Sequence, residues 1–223
     1  MSSDVIEPKQ LQIQAVLAEE NLIEQLDGFF NRISNIISEI DEMFNDIFQN
    51  RLEVLRTRII KTLGMSRDAR NSYRNILEYA SRVAPALITG SYYLNMLSNS
   101  SELLERINKL CKHLSLLQFP HQPNEDVIIS VQKTLNMLVS SIDRLRNVLK
   151  AYVEFPVKAD GLLAELLKIA QNLRTYYDES YLSLGKSNID TVSIIVIDDI
   201  DGIVDSFIKI YEALSCLHVM KRR

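Results

Sequence analysis

Apolar side chains recur at steps of three and four residues along most of the chain, which is the spacing of one face of an α-helix. The longest run of this kind predicts one amphipathic helix over residues 26–63, with a start as early as Pro8 allowed. Leu63-Gly64 is typical of a helix end, and Ser66 is typical of the residue that caps the next helix. The apolar positions of this run are Leu26, Phe29, Ile33, Ile36, Ile40, Met43, Ile47, Phe48, Leu52, Leu55 and Ile59.

The same periodicity continues to the end of the chain, interrupted by proline and glycine. Pro85 should end the second helix and Pro156 the fourth, because proline cannot donate a backbone hydrogen bond. A turn is expected at Gly185-Lys186-Ser187-Asn188. The five further predicted helices span about residues 67–82, 86–117, 126–154, 157–182 and 189–219.

The order of the helices predicts the fold class and the domain organisation. Residues 118–125 hold two prolines in a polar setting and form the best boundary in the chain. We predict an all-α protein of six long helices, built as two consecutive three-helix bundle repeats. The expected divisions are an N-terminal extension that is partly helical or disordered, a first unit, a Pro-rich joint and a second unit, at residues 1–20, 21–118, 119–125 and 126–220.

Residues 192–197 are rich in β-branched side chains and suit a buried strand as well as a helix. Two observations favour the helix: no second strand candidate is present to pair with the segment, and an unbroken four-three ladder passes through it. That ladder consists of Val192, Val196, Ile200, Ile203, Phe207, Ile210, Leu214 and Leu217.

Composition and charge narrow the class of protein. Of 223 residues, 47% are hydrophobic and 24% charged, with a net charge of −4, as in ordinary globular proteins. The longest strongly apolar stretch, around residues 191–197, is far shorter than the roughly 20 residues that cross a bilayer. The N-terminus lacks the basic start and apolar core of a secretory signal. We therefore expect a cytoplasmic protein that does not insert into membranes.

The distribution of basic residues and cysteines also suits a cytoplasmic protein and gives no sign of nucleic-acid binding. Lys and Arg are scattered and form no stripe that would bind nucleic acid, and the cluster at residues 221–223 is typical of an exposed tail. Cys111 and Cys216 are expected to be reduced core thiols.

An internal repeat is suggested by comparison of the third helix of each predicted unit. At a constant offset of 96 residues, the polar trio Glu102, Glu105 and Lys109 falls on Asp198, Asp201 and Asp205. Each trio lies at i, i+3 and i+7, on the side of its helix opposite the apolar stripe. In the same alignment Leu104, Ile107, Cys111 and Leu114 fall on Ile200, Ile203, Phe207 and Ile210.

These residues resemble a known family. The segment Ser101-Glu102-Leu103-Leu104-Glu105-Arg106-Ile107 resembles the Leu-Glu-Arg-Ile-Gly-Asp signature that closes each repeat of the PhoU phosphate-uptake regulators, and Asp201-Gly202-Ile203-Val204-Asp205 is similar to its acidic core. The resemblance implies a soluble cytoplasmic regulator of phosphate transport and signalling, some relatives of which bind metal clusters on acidic faces. Lys109 stands where the signature has Asp, and we expect it to pair with Glu105 four positions earlier.

Asp198, Asp201 and Asp205 are therefore the candidate metal ligands, for a divalent or ferric cation, since such ions prefer hard oxygen ligands. Two other interpretations stay open for this face of the helix: a solvated surface and a partner-binding surface.

No catalytic constellation is predicted. His113, His121 and His218 are too few and too separated for a zinc site. The members of the pairs Cys111-x-His113 and Cys216-x-His218 point about 200° apart on a helix. No phosphate-binding loop or nucleophile elbow occurs in the sequence.

The leading functional hypothesis is a non-enzymatic, PhoU-like regulatory or adaptor protein whose partner is a transporter or signalling protein. The alternative is a helical scaffold or self-assembling structural protein with no phosphate role. The sequence does not fix the oligomeric state, and a homodimer is one of the states it allows.

Overall fold

The computed structural model describes residues 8–116, 123–184 and 190–222. Within these residues the chain forms six α-helices, and it contains no strand. The prediction of an all-α protein is therefore confirmed. The helices are α1 (Pro8–Phe48), α2 (Leu52–Val83), α3 (Gly90–Ser115), α4 (Glu125–Glu154), α5 (Pro156–Leu184) and α6 (Thr191–Lys221).

The β-branched segment at residues 192–197 is helical and forms the first turns of α6. Val196 and Ile197 are buried there, whereas Ile194 and Ile195 are exposed. The choice of helix over strand is confirmed. Among the described residues, no helix combines the length and the apolar character that a membrane span requires.

The predicted single helix over residues 26–63 is wrong, because the chain turns between α1 and α2. Asn50 has a φ of 61°, in the left-handed region that ends helices, and it is the sole non-glycine residue with positive φ among those described. The amide of Arg51 donates to the carbonyl oxygen of Asp46 at 2.8 Å, which closes the turn. The turn follows the point at which the apolar ladder shifts by one residue, at Ile47 and Phe48.

A buried ion pair network holds this turn. The carboxylate of Asp46 is fully buried and contacts Arg58 Nε at 2.8 Å and Arg51 Nη2 at 2.7 Å. Arg58 also contacts Glu39 at 3.1 Å. Because a buried charge is costly unless it is paired, these contacts couple the start of α2 to the end of α1.

The predicted stop at Leu63-Gly64 is also wrong, since α2 continues to Val83 and Ser66 is a buried residue in its middle. The stop at Pro85 is confirmed. Pro85 lies in a short 3₁₀ turn after α2, and the chain then folds back as α3. Gly90 is required at this reversal, because a Cβ there would lie 2.2 Å from the carbonyl oxygen of Ala84.

The boundaries of α4, α5 and α6 agree with the sequence prediction to within about two residues. The side chain of Asn124 caps α4 by accepting from the amide of Asp126, and Asp190 caps α6 by accepting from the amide of Ser193. Pro156 ends the run of α4 as predicted and is the first residue of α5, where a missing amide hydrogen costs nothing.

The most extensive helix contacts join α3 to α6, followed by α4 to α5, α1 to α2 and α1 to α4. Ion pairs show that α3 and α6 are antiparallel, because Glu102 contacts Lys209 whereas Lys109 contacts Asp199. The buried apolar residues form one continuous cluster across the predicted division of the chain. The division into two units stays a prediction, and residues 119–122 of its joint and the turn at 185–188 lie outside the described residues.

Candidate functional site

The acidic face, which consists of Asp198, Asp201 and Asp205, lies on α6 with its carboxylates partly or largely exposed. Their side chains are 73%, 40% and 53% exposed, respectively. The three residues therefore face away from the apolar core, as the i, i+3, i+7 spacing predicts.

Arg174 of α5 lies against this face and neutralises much of its charge. Its guanidinium contacts Asp205 directly, Asp201 at 3.4 Å and Asp178 at 3.1 Å. Burial raises the pKa of Asp201 above its ordinary value, the nearby charge of Asp205 raises it further, and Arg174 opposes both effects. Asp201 and Asp205, together with Asp178, therefore form a network of carboxylates around one arginine.

The described residues contain no group of three or more His, Cys, Asp or Glu side chains that could hold a metal ion. A cation at the acidic face would have to compete with Arg174 for Asp201 and Asp205. It would also compete with Lys109, whose Nζ lies 3.5 Å from Asp198. The metal site stays a prediction. A bound cation would have to displace Arg174 and Lys109 from these carboxylate oxygens.

The expected pairing of Lys109 with Glu105 is wrong. Glu105 instead contacts Arg70 of α2 at 2.6 Å, and Lys109 reaches across to α6, where its Nζ lies 2.9 Å from Asp199 Oδ1. Since α3 and α6 pack directly against each other, a cation on one helix meets the carboxylates of the other. Lys109 and Glu105 are thus each paired with a residue of another helix and not with each other.

Asp199 is the polar residue of this region whose role the sequence did not reveal. Its carboxylate is fully buried and contacts His113 Nδ1 at 2.5 Å as well as Lys109. Its position in the sequence could have indicated burial, because Asp199 lies three residues after Val196 and four before Ile203, on the core stripe of α6. An acid on that stripe indicates a buried ion pair.

The two Cys-x-His pairs do not form metal-binding pairs. Cys111 is buried, and burial raises the pKa of its thiol to about 12, whereas His113 turns to Asp199. Cys216 is exposed, which contradicts the expectation of a core thiol. His218 is buried and its Nε2 lies 2.8 Å from Asp160. His121 lies outside the described residues.

A groove, here named the α1/α4 groove, lies between α1 and the C-terminal turns of α4. Its volume is about 470 Å³. No feature of the sequence predicted this groove. The residues that line it are Leu17, Glu20, Asn21, Ile23, Glu24 and Asp27 of α1 and Lys150, Val153 and Glu154 of α4.

The charges of the α1/α4 groove are unbalanced. Asp27 is paired with Arg146 at 2.9 Å and with Lys150 at 3.2 Å. The other three carboxylates, those of Glu20, Glu24 and Glu154, form no ion pair with the described residues. The single ammonium that lines the groove is therefore already paired, and within the described part of the chain three of its carboxylates have no ion-pair partner.

Apolar side chains accompany these carboxylates. Leu17 and Val153 are 58% and 38% exposed where they line the groove. Ile13, one turn before Leu17 on α1, and Val16, which directly precedes Leu17, are more than half exposed. Ile13, Val16 and Leu17 lie in the segment that was predicted to be an N-terminal extension, and nothing local in the sequence indicates that α4 lies alongside them.

Comparison of the chain with family models, curated proteins and solved structures found no match.

Proposed function

We propose that the protein is a non-enzymatic, PhoU-like regulatory or adaptor protein, which acts in the cytoplasm by binding a transporter or signalling protein in phosphate transport or signalling. The observation that supports binding is the α1/α4 groove. The link to phosphate comes from the resemblance of Leu104-Glu105-Arg106-Ile107 to the PhoU signature.

The groove supports a binding role because it leaves two kinds of surface group uncovered at one place. Removal of exposed apolar side chains such as Leu17 and Val153 from water by a partner would contribute a favourable free energy to binding. The carboxylates around them, three of which have no ion-pair partner among the described residues, supply orientation and specificity. An apolar centre with a polar rim is the usual composition of a protein interaction surface.

The function can be tested in the source organism by chromosomal replacement of Leu17 and Val153 together by arginine. We expect Leu17→Arg/Val153→Arg to change the rate of phosphate uptake, under phosphate-rich or phosphate-poor conditions, as much as deletion of the gene does. Both side chains are already exposed, so the substitutions should leave the fold intact. A matched control is Ile60→Arg/Ile129→Arg, which places the same charges on exposed apolar positions of α2 and α4 outside the groove.

Phosphate uptake that is identical in wild type and deletion strains under both conditions would contradict the phosphate role. Equal effects of the groove variant and the control variant would contradict the assignment of the groove.

A scaffold role is the second candidate, supported by a different surface. The end of α5 and the start of α6 carry four partly or largely exposed apolar side chains: Tyr181, Leu182, Ile194 and Ile195. Self-assembly through them predicts that sedimentation velocity shows species larger than a dimer, which grow with concentration and are lost in Leu182→Glu/Ile194→Glu. A monomer or dimer at all concentrations would exclude this role.

A further inference from the structure

We infer that the α1/α4 groove binds a basic amphipathic helix presented by the partner protein. The inference rests on the proposed partner-binding function and adds the chemistry of the partner segment. Its two parts, a positive charge and a helical apolar face, follow from different observations.

The positive charge follows from the three groove carboxylates that form no ion pair with the residues that the structure describes. Glu20, Glu24 and Glu154 line one groove, and the nearest basic group in its lining, Lys150, is already paired with Asp27. A Lys or Arg of the partner would satisfy these carboxylates and relieve their mutual repulsion. An anionic partner, such as a nucleic acid or an acidic membrane surface, would meet repulsion at the same place.

The helical form follows from the walls of the groove. Both walls are helices, so their backbone groups are already hydrogen-bonded and cannot pair with an added strand. The lining residues of α1 recur at three- and four-residue steps, a ridge spacing that accepts the side chains of another helix. From Leu17 to Asp27 the wall rises by about 15 Å, which matches about three turns of a bound helix.

The apolar face follows from the exposed side chains beside the carboxylates. Leu17 and Val153 lie in the groove, and Ile13 and Val16 extend the apolar strip along α1. A partner helix with apolar residues at i, i+3, i+4 and i+7 would cover this strip while the basic residues that flank its apolar face reach the carboxylates.

Binding of designed peptides to the full chain tests the inference. The probe is a labelled peptide of about 16 residues that forms a helix with leucines on one face and lysines elsewhere. Two control peptides are its counterpart with glutamate in place of lysine and a scrambled peptide of the same composition. Fluorescence anisotropy should show saturable binding of the basic amphipathic peptide that weakens as salt is raised, and little binding of either control.

Variants of the groove carboxylates test whether the peptide binds in the groove. Glu20→Gln/Glu24→Gln should weaken binding by about tenfold, the effect of two exposed ion pairs. The matched control, Glu179→Gln/Glu212→Gln, removes the same charge from exposed positions on α5 and α6 and should bind like the wild type. Circular dichroism of both variants checks that the fold is unchanged.

Each contrary outcome is distinct. Equal binding of the lysine and glutamate peptides, no binding of any peptide, or an unchanged affinity in Glu20→Gln/Glu24→Gln would overturn the inference. So would a dimer whose dissociation depends on Glu20 and Glu24, because a second copy would then occupy the groove. None of these results alters the uptake experiment, in which failure of the proposed function would appear separately.

Discussion

At the scale of single residues, two ion pairs join α3 and α6, and the acidic residue lies on α3 in one pair and on α6 in the other. Glu102 pairs with Lys209 at 2.9 Å, and Lys109 pairs with Asp199 at the same distance. The side chains of Lys209 and Glu102 are 47% and 35% exposed, so water screens their pair, and such pairs contribute only about 0–1 kcal/mol. Asp199 differs because its carboxylate is buried and depends on its partners for stability.

The substitution Asp199→Asn should therefore destabilise the fold. We expect it to lower the free energy of unfolding by about 1–3 kcal/mol, because an amide cannot replace the charge-assisted contacts with His113 and Lys109. The neighbouring Asp198→Asn is the matched control, since its carboxylate is mostly exposed, and it should change stability by less than about 0.5 kcal/mol.

Urea denaturation at neutral pH, followed by circular dichroism, measures both variants. Equal stability of the two would show that the buried contacts of Asp199 contribute no more than a surface pair does.

At the scale of helices, the apolar ladders predicted where helices form and were less informative about where they end. The breaks at Pro85 and Pro156 were predictable because proline acts locally. The turn at Asn50 was not, since asparagine is compatible with a helix and the deciding contact, the buried pairing of Asp46 with Arg58, joins residues twelve positions apart. Gly64 led to a helix end being predicted where there is none. Packing against neighbouring helices keeps α2 helical at this residue despite the low helix propensity of glycine.

The left-handed backbone at Asn50 leads to a prediction about the turn. Asn50→Ala should destabilise the protein by about 1 kcal/mol, because a β-carbon is strained at positive φ and alanine lacks the polar side chain that makes asparagine tolerant of it. Asn50→Gly should destabilise the protein less than Asn50→Ala does, because glycine adopts positive φ without strain. Thermal unfolding of the two variants checks the order, and an alanine variant as stable as the glycine variant would contradict it.

The register between the proposed repeats shows another limit of sequence reasoning. The 96-residue offset places Leu104 on Ile200 and Ile107 on Ile203, all four of which are buried. An offset of 103 places Leu104 on Phe207 and Ile107 on Ile210, which are also buried. Because seven residues make about two helical turns, the burial pattern repeats after that shift and cannot select one offset.

At the scale of the whole molecule, the features that suggest function come from helices that are distant in the sequence. Asp198, Asp201 and Asp205 were placed on one surface by spacing alone, but Arg174 and Lys109, which occupy their oxygens, come from other helices. The α1/α4 groove joins residues more than 120 positions apart. Periodicity within a helix says which face is buried and gives no information about which helix covers it.

The same long-range packing predicts how the two halves of the chain behave when separated. The apolar stripes of α3 and α6 bury each other, so a fragment of residues 1–118 or 119–223 alone would expose a stripe that the intact chain covers. Loss of the contacts between α1 and α4 would expose a second stripe in each fragment. We expect each fragment alone to be partly unfolded or aggregated, because the lost apolar burial exceeds the small net stability of a domain.

Mixing the two fragments should restore a one-to-one helical complex that unfolds in a single cooperative transition, as measured by circular dichroism and sedimentation equilibrium. A full chain with a protease site inserted in the joint is the control, since cleavage after folding should leave the halves associated. If each fragment instead unfolds cooperatively on its own, with the stability of the intact chain, then the two units are independent domains and the contacts of α3 with α6 and of α1 with α4 add little to the fold.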